Sequence, residues 1–129
     1  MIIEFIDRFQ EIKPRLLEQF SKEEPESYED IFKQTIKMMF SDSDYDSETP
    51  DFERITVIDD GDYQGTLVFV VAAQGYQPND YWATRVFYGS CSECDTFQRY
   101  CTYGGNPEDS APEMVTMALH MIEAMKKIL

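Results

Sequence analysis

Basic residues are scarce in this chain. Eleven Lys and Arg face 25 Asp and Glu, giving a formal net charge of −14. Over residues 41–84 the sole base is Arg54. A field of that sign repels a phosphate backbone and removes the counterion release that drives nucleic-acid binding. The expectation is no direct nucleic acid and, by the same argument, no anionic membrane. Long apolar runs are also missing: the longest, Leu67 to Ala73, is strand-sized beside the ~20 residues of a membrane span. The opening MIIEFIDRFQEI has no basic leader ahead of an apolar stretch, so it does not read as an export signal. Three cysteines, an odd number without such a signal, suggest reduced thiols and a cytoplasmic location. The single histidine stands without a G-x-S-x-G, P-loop or H-E-x-x-H string. No catalytic constellation emerges, and the expectation is a protein that is not an enzyme.

What the chain has is aromatic and aliphatic residue in helical and strand rhythm. With 129 residues, 43% hydrophobic and 14% aromatic, it reads as a single domain over residues 1–129 with a core of its own. Ile2, Phe5, Ile6, Phe9 and Ile12, resumed after Pro14 by Leu16, Leu17 and Phe20, form a helical stripe. That predicts one kinked helix or two short ones. KEEPES is a break, with Pro25 suited to the first turn of the next helix. Ser27 and Asp30 read as its cap, and Tyr28, Ile31, Phe32, Thr35, Ile36, Met39 and Phe40 as its buried face.

Three strands are predicted next. Glu53 to Asp59 alternates, with Ile55 and Val57 on one face. GTLVFVVAAQ reads as a central strand covered on both faces, and DYWATRVFYGS as the third. Short polar turns between them favour an antiparallel meander. CSECDTFQRYC is a short helix capped near Ser92 or Cys94, and TYGGNPEDSAP is a loop. Ser110 with Glu113 then caps a last helix, whose Met114, Met117, Ala118, Met121, Met125 and Ile128 share a side. That methionine face is either core or an adaptable surface, for instance of a homodimer. The fold class is therefore α+β: a three-stranded antiparallel meander with N-terminal helices and a C-terminal helix packed on it.

Charge is uneven along this layout, with nets of −3, −9 and −2 over residues 1–40, 41–84 and 85–129. The middle third gathers Asp42, Asp44, Asp46, Glu48, Asp51, Glu53, Asp59, Asp60 and Asp62. Asp42, Asp44, Asp46, Glu48 and Glu53 fall at positions 1, 3, 5, 7 and 12 of a calcium-loop window. Ser47 replaces the turn glycine, Pro50 occupies position 9, and a strand follows instead of a helix, so a solvated loop is the simpler reading. Taken together, the nine acids could imitate a phosphate backbone. A charge of −14 exceeds the magnitude of about 2–8 that solubility asks of a small domain. The partner expected on this ground is a basic protein, itself nucleic-acid-binding.

The second candidate site is the string Tyr88-Gly-Ser-Cys91-Ser-Glu-Cys94-Asp-Thr-Phe-Gln98. A C-x-x-C pair at a strand-to-helix junction suits a redox pair. With Cys101 as a third ligand and His120 as a distant fourth, it also suits part of a zinc site. The structural alternative is a tight turn in which small residues let the helix approach the sheet and the cysteines fill core space.

The strings DYQGTLVFVV, YWATRVFYGSCSECDTFQ and MVTMALHMIEAMKKIL resemble a family of small proteins of tailed bacteriophages with Gram-positive hosts. That family carries a Y-G-S-C-S-x-C-D-T-[LF]-Q segment, a D-[YW]-Q-G-T strand before it and a final T-x-A-L-H helix. The resemblance spans about residues 62–129. It departs at Glu93, where Gly is usual, and at Phe97, where Leu is usual. It implies a phage origin and action inside the host cell, and it leaves the mechanism open. The functional expectation is a small acidic binding protein that inhibits or modulates a basic host protein, as a DNA mimic in its sharpest form. The alternative is a metal or thiol-redox module centred on Cys91, Cys94 and Cys101.

Overall fold

The computed structural model describes residues 4–41, 49–62, 64–75, 78, 80–91 and 93–128. Of the first apolar stripe, Phe9, Ile12, Leu16 and Phe20 form the buried side of one helix, α1 (Phe5–Lys22), while Ile6 and Leu17 are exposed and Ile2 lies outside the described residues. The helix runs unbroken through Pro14, whose missing N–H deprives only the carbonyl of Gln10, a solvent-exposed residue. Helix α2 (Tyr28–Phe40) starts at the expected cap: Ser27 Oγ accepts from the Asp30 N–H at 3.1 Å. The Asp30 carboxylate reaches back past the cap to the Glu26 N–H at 2.9 Å, one residue before the Ser27 N–H that a full capping box would use. Pro25 precedes the cap and is buried, so it lies outside the first helical turn where it was expected.

Strands β1 (Pro50–Asp59), β2 (Gly65–Ala73) and β3 (Tyr81–Tyr88) form the expected antiparallel meander. The sheet has a fourth member, however. Helix α4 (Pro107–Glu123) ends before the predicted stripe does, and residues Lys126–Lys127 turn to pair with Ala83 and Trp82 as β4. The order is β1-β2-β3-β4. Alternation sorts the sheet's two faces. Phe69, Val71, Trp82 and Thr84 are buried towards the helices, while Ile58, Arg85 and Phe87 are exposed on the opposite side. β2 is thus fully covered on one face only, because the helices all stack on the same side.

Two further boundaries differ from expectation. The short helix α3 (Thr96–Tyr100) is capped by Asp95, whose side chain accepts from the Gln98 N–H. Helix α4 is capped by Asn106, with Pro107 at its first position, so Ser110 and Pro112 lie inside it. Proline at N1 gives up an N–H that has no helical partner anyway. Met114, Met117 and Met121 all belong to the core with Phe9, Leu16, Phe32 and Phe69. The methionine side of α4 is interior and is not an exposed surface for a second copy.

Glu24 ties the two ends of the helical layer together. Its carboxylate accepts from the Thr102 N–H at 2.9 Å, Ser110 Oγ at 2.5 Å and Cys101 Sγ at 3.1 Å. Partial burial pushes its carboxyl up, but the bonds from Ser110, Thr102 and Cys101 outweigh that and hold it at about 2. A depressed folded-state value stabilises the fold above the ordinary carboxyl range, and the contribution disappears as pH falls through about 2. After solvent screening, the expected contribution is on the order of 2 kcal/mol. Urea unfolding of the wild type and Glu24→Gln across acidic pH checks it: the stability gap narrows on acidification. A gap that is flat with pH would refute the assignment.

Candidate functional site

An open cavity of about 310 Å³ lies where the start of α2 meets the β1–β2 turn and the end of β3. Leu67, Tyr28, Tyr88 and Phe97 give it apolar walls, and Glu26, Glu29, Asp59 and Asp95 supply carboxylates. Its base is a buried hydrogen-bond cluster. Tyr28 OH donates to Asp95 Oδ1 at 2.8 Å and accepts from the Phe97 N–H at 2.9 Å. Asp95 also accepts from the N–H of Gly89 at 3.1 Å and of Gln98 at 2.9 Å. Burial, together with the Asp95 carboxylate, raises the Tyr28 phenol far above its ordinary range, so Tyr28 serves as a neutral donor.

At the cavity's edge the acids of the β1–β2 turn converge. Asp59 Oδ1 accepts from Tyr88 OH at 2.5 Å and from the Gly61 N–H at 3.0 Å, which together lower its carboxyl. Asp60 Oδ1 accepts from the Thr66 N–H at 2.6 Å. The hydrogen bond to Asp59, with some desolvation and the negative field of Asp59, Asp60 and Asp62, pushes Tyr88 up to about 12. One phenol therefore registers all three carboxylates. Asp59 and Asp60 also hold the turn's backbone, so they are structural as well as charged.

The other predicted acids lie elsewhere. Asp51 is near the opposite end of β1, where it accepts from the Glu53 N–H at 2.9 Å and pairs with Arg54 Nε at 3.3 Å. Glu53 is exposed on the same strand, about 20 Å along it from Asp59. As the last position of the calcium-loop pattern, Glu53 sits on a strand and lacks the helix such a loop needs. Asp42, Asp44, Asp46 and Glu48 lie outside the described residues.

The cysteines divide into two environments. Cys91 and Cys94 are exposed in the turn after β3, with their sulfurs 2.7 Å apart. Cys101 follows α3, half-buried and bonded to Glu24; burial and that carboxylate raise its thiol. His120 is exposed near the end of α4. Among the described residues no three Cys, His, Asp or Glu side chains come together as a metal site. No helix of the described residues is long and apolar enough to cross a membrane.

Sequence reasoning missed the cavity's own residues: Asp95, Tyr28, Glu26 and Glu29. Asp95 did carry a signal, since Asp followed three residues later by Gln98 is a capping pattern. Searches of family models, curated proteins and solved structures give no match to this chain.

Proposed function

We propose that this chain is a small acidic binding protein that captures a basic protein, with the acid-lined cavity as the focus of contact. The observation that carries this reading is an open cavity with aromatic walls into which Glu26, Glu29 and Asp59 bring carboxylates, Asp59 being held there by Tyr88 OH. Carboxylates around aromatic walls suit an arginine. Its planar guanidinium stacks on a ring while its N–H groups pair with acids, and it sheds water more readily than an ammonium. In the setting implied by the phage-family resemblance, the partner is a nucleic-acid-binding host protein in the host cytoplasm. Occupying its groove as a DNA mimic would then inhibit it.

An arginine-rich peptide titrated against the chain tests the idea directly. Binding is expected to be tight at low salt and to weaken steeply as salt screens the charges. Glu26→Lys combined with Asp62→Lys changes two exposed side chains and is expected to weaken binding about tenfold at low salt. A peptide that binds wild type and this variant equally, or binds without salt dependence, would sink the reading. A basic DNA-binding protein captured the same way should be released by added duplex DNA.

A further inference from the structure

The turn that follows β3 has a geometry that the partner cavity does not use. It is closed by the Cys94 N–H donating to the Cys91 carbonyl at 3.1 Å. The two exposed sulfurs stand 2.7 Å apart, not far beyond the ~2.05 Å of a disulfide bond. The Cys91 N–H is directed at Cys94 Sγ at 3.0 Å. Donors aimed at one sulfur favour its thiolate form. Accordingly, hydrogen bonding from Cys91 holds the Cys94 thiol below its ordinary range despite some desolvation.

The turn is also held firmly. A Cβ on Gly89 would lie 2.4 Å from the Cys94 carbonyl oxygen, so only glycine permits the observed approach. On the other side, Asp95 is locked by Tyr28 and by its own capping bond. Two thiols are thus preset at reaction distance on the surface. Cys101, bonded to a carboxylate and half-buried, supplies an internal contrast.

We propose that the Cys91–Cys94 turn is a thiol–disulfide exchange site whose substrate is a cationic or uncharged disulfide. Cys94 is the attacking sulfur. Its thiolate forms a bond to one sulfur of the substrate RS–SR, the substrate S–S bond breaks, and one RS⁻ leaves to be protonated by water. Cys91 then gives its proton to solvent and attacks Cys94 Sγ. This forms the Cys91–Cys94 disulfide and releases the second RS⁻, also protonated by water. The protein pair loses two electrons, and the substrate disulfide is reduced to two thiols. The charge preference follows from the surroundings. Glu93 and Asp95 flank Cys94 and the acids of the β1–β2 turn lie near; Arg99, the sole Lys or Arg between residues 86 and 125, donates to the Glu93 carbonyl at 2.7 Å and offsets only one of these charges. Such a field repels anionic disulfides and gathers cationic ones. The chemistry does not rest on the basic-partner reading and can fail separately from it.

The test uses the reduced full chain with two probes, cystamine as a cationic disulfide and oxidised glutathione as an anionic one. Intact and peptide mass spectrometry follow the products. Cys91 and Cys94 should end as a disulfide with two thiols released, while Cys101 stays unmodified. Cystamine should react about tenfold faster than glutathione at low salt, the gap closing as salt rises. Cys91→Ser should halt at a mixed disulfide on Cys94, and Cys94→Ser should react about tenfold more slowly than wild type. The proposal is overturned if Cys94 in the unaltered chain reacts no faster than Cys101. It is also overturned if glutathione matches cystamine at low salt, or if stoichiometric zinc on these thiols blocks the reaction.

Discussion

Asp95→Ala is expected to lower the unfolding free energy by about 3–4 kcal/mol, although the residue lies in a short surface segment. Its carboxylate accepts from Tyr28 OH, the Gly89 N–H and the Gln98 N–H, and it is only 4% exposed. Removing the cap of α3 costs about 1 kcal/mol. The rest comes from the Tyr28 hydroxyl and Gly89 N–H, which would be stranded away from water at about 1–3 kcal/mol each, less whatever relaxation recovers. Asp95→Asn keeps one acceptor oxygen and should lose about half as much. Urea unfolding at constant m-value reads the change. A double-mutant cycle with Tyr28→Phe should give a coupling of about 1–2 kcal/mol, since the two side chains share one bond. A loss below about 1 kcal/mol for Asp95→Ala would mean that these bonds do not exist in solution.

The second large effect lies in the sheet. Phe69 in the middle of β2 is fully buried, and its ring stacks on Phe32 of α2 with centroids 4.8 Å apart and planes within 12°. That pair is a direct join between sheet and helices. Phe69→Ala should cost about 4 kcal/mol, from lost burial and a cavity that close packing cannot collapse. For a domain of this size that lowers Tm by roughly 12–20 °C. Phe69→Leu, which keeps most of the volume, should cost about 1–1.5 kcal/mol. Phe87, on the outer face and 69% exposed, provides the contrast: its replacement by alanine should change stability by no more than about 0.5 kcal/mol. Equal losses at the two positions would contradict the one-sided layering of helices on the sheet.

Periodicity carried most of this architecture. The stripes of α1 and α2 and the alternation of β1 arise from local spacing, so residues such as Phe9, Leu16, Ile31 and Phe32 could be placed inside from sequence. Features decided by tertiary contact could not. β4 is two residues long and exists only because β3 offers an edge to pair with. Lys126 and Lys127 have no strand character of their own, and the methionine rhythm ahead of them invites a longer helix. The start of α4 was obscured by competition. Ser110 and Glu113 spell a capping box, yet Ser110 is turned towards Glu24, and Asn106 with Pro107 starts the helix earlier. The cavity was invisible for a similar reason. Its acids come from the segment entering α2 and its first turn, the end of β1 and the cap of α3, and no sequence window contains them together. The cysteine string was conspicuous, but the split between Cys91–Cys94 and Cys101 depended on Glu24, far away in the chain.

The sheet's strand order has a consequence for how copies of this protein meet one another. Among the described residues β1 is one border of the sheet, and on the other side β4 pairs with β3 only at Trp82 and Ala83; a border strand offers unpaired N–H and carbonyl groups to any neighbouring chain. β1 is long but poorly suited to accept one. It begins at Pro50, its register breaks between Pro50 and Ile55, and it carries Asp51, Glu53, Arg54 and Asp59. Two copies brought edge to edge would bring together two strands that each carry three acids and one base along an irregular ladder. The charged side chains of this border therefore discourage edge-to-edge growth into aggregates, and of the acids on it only Asp59 also lines the cavity.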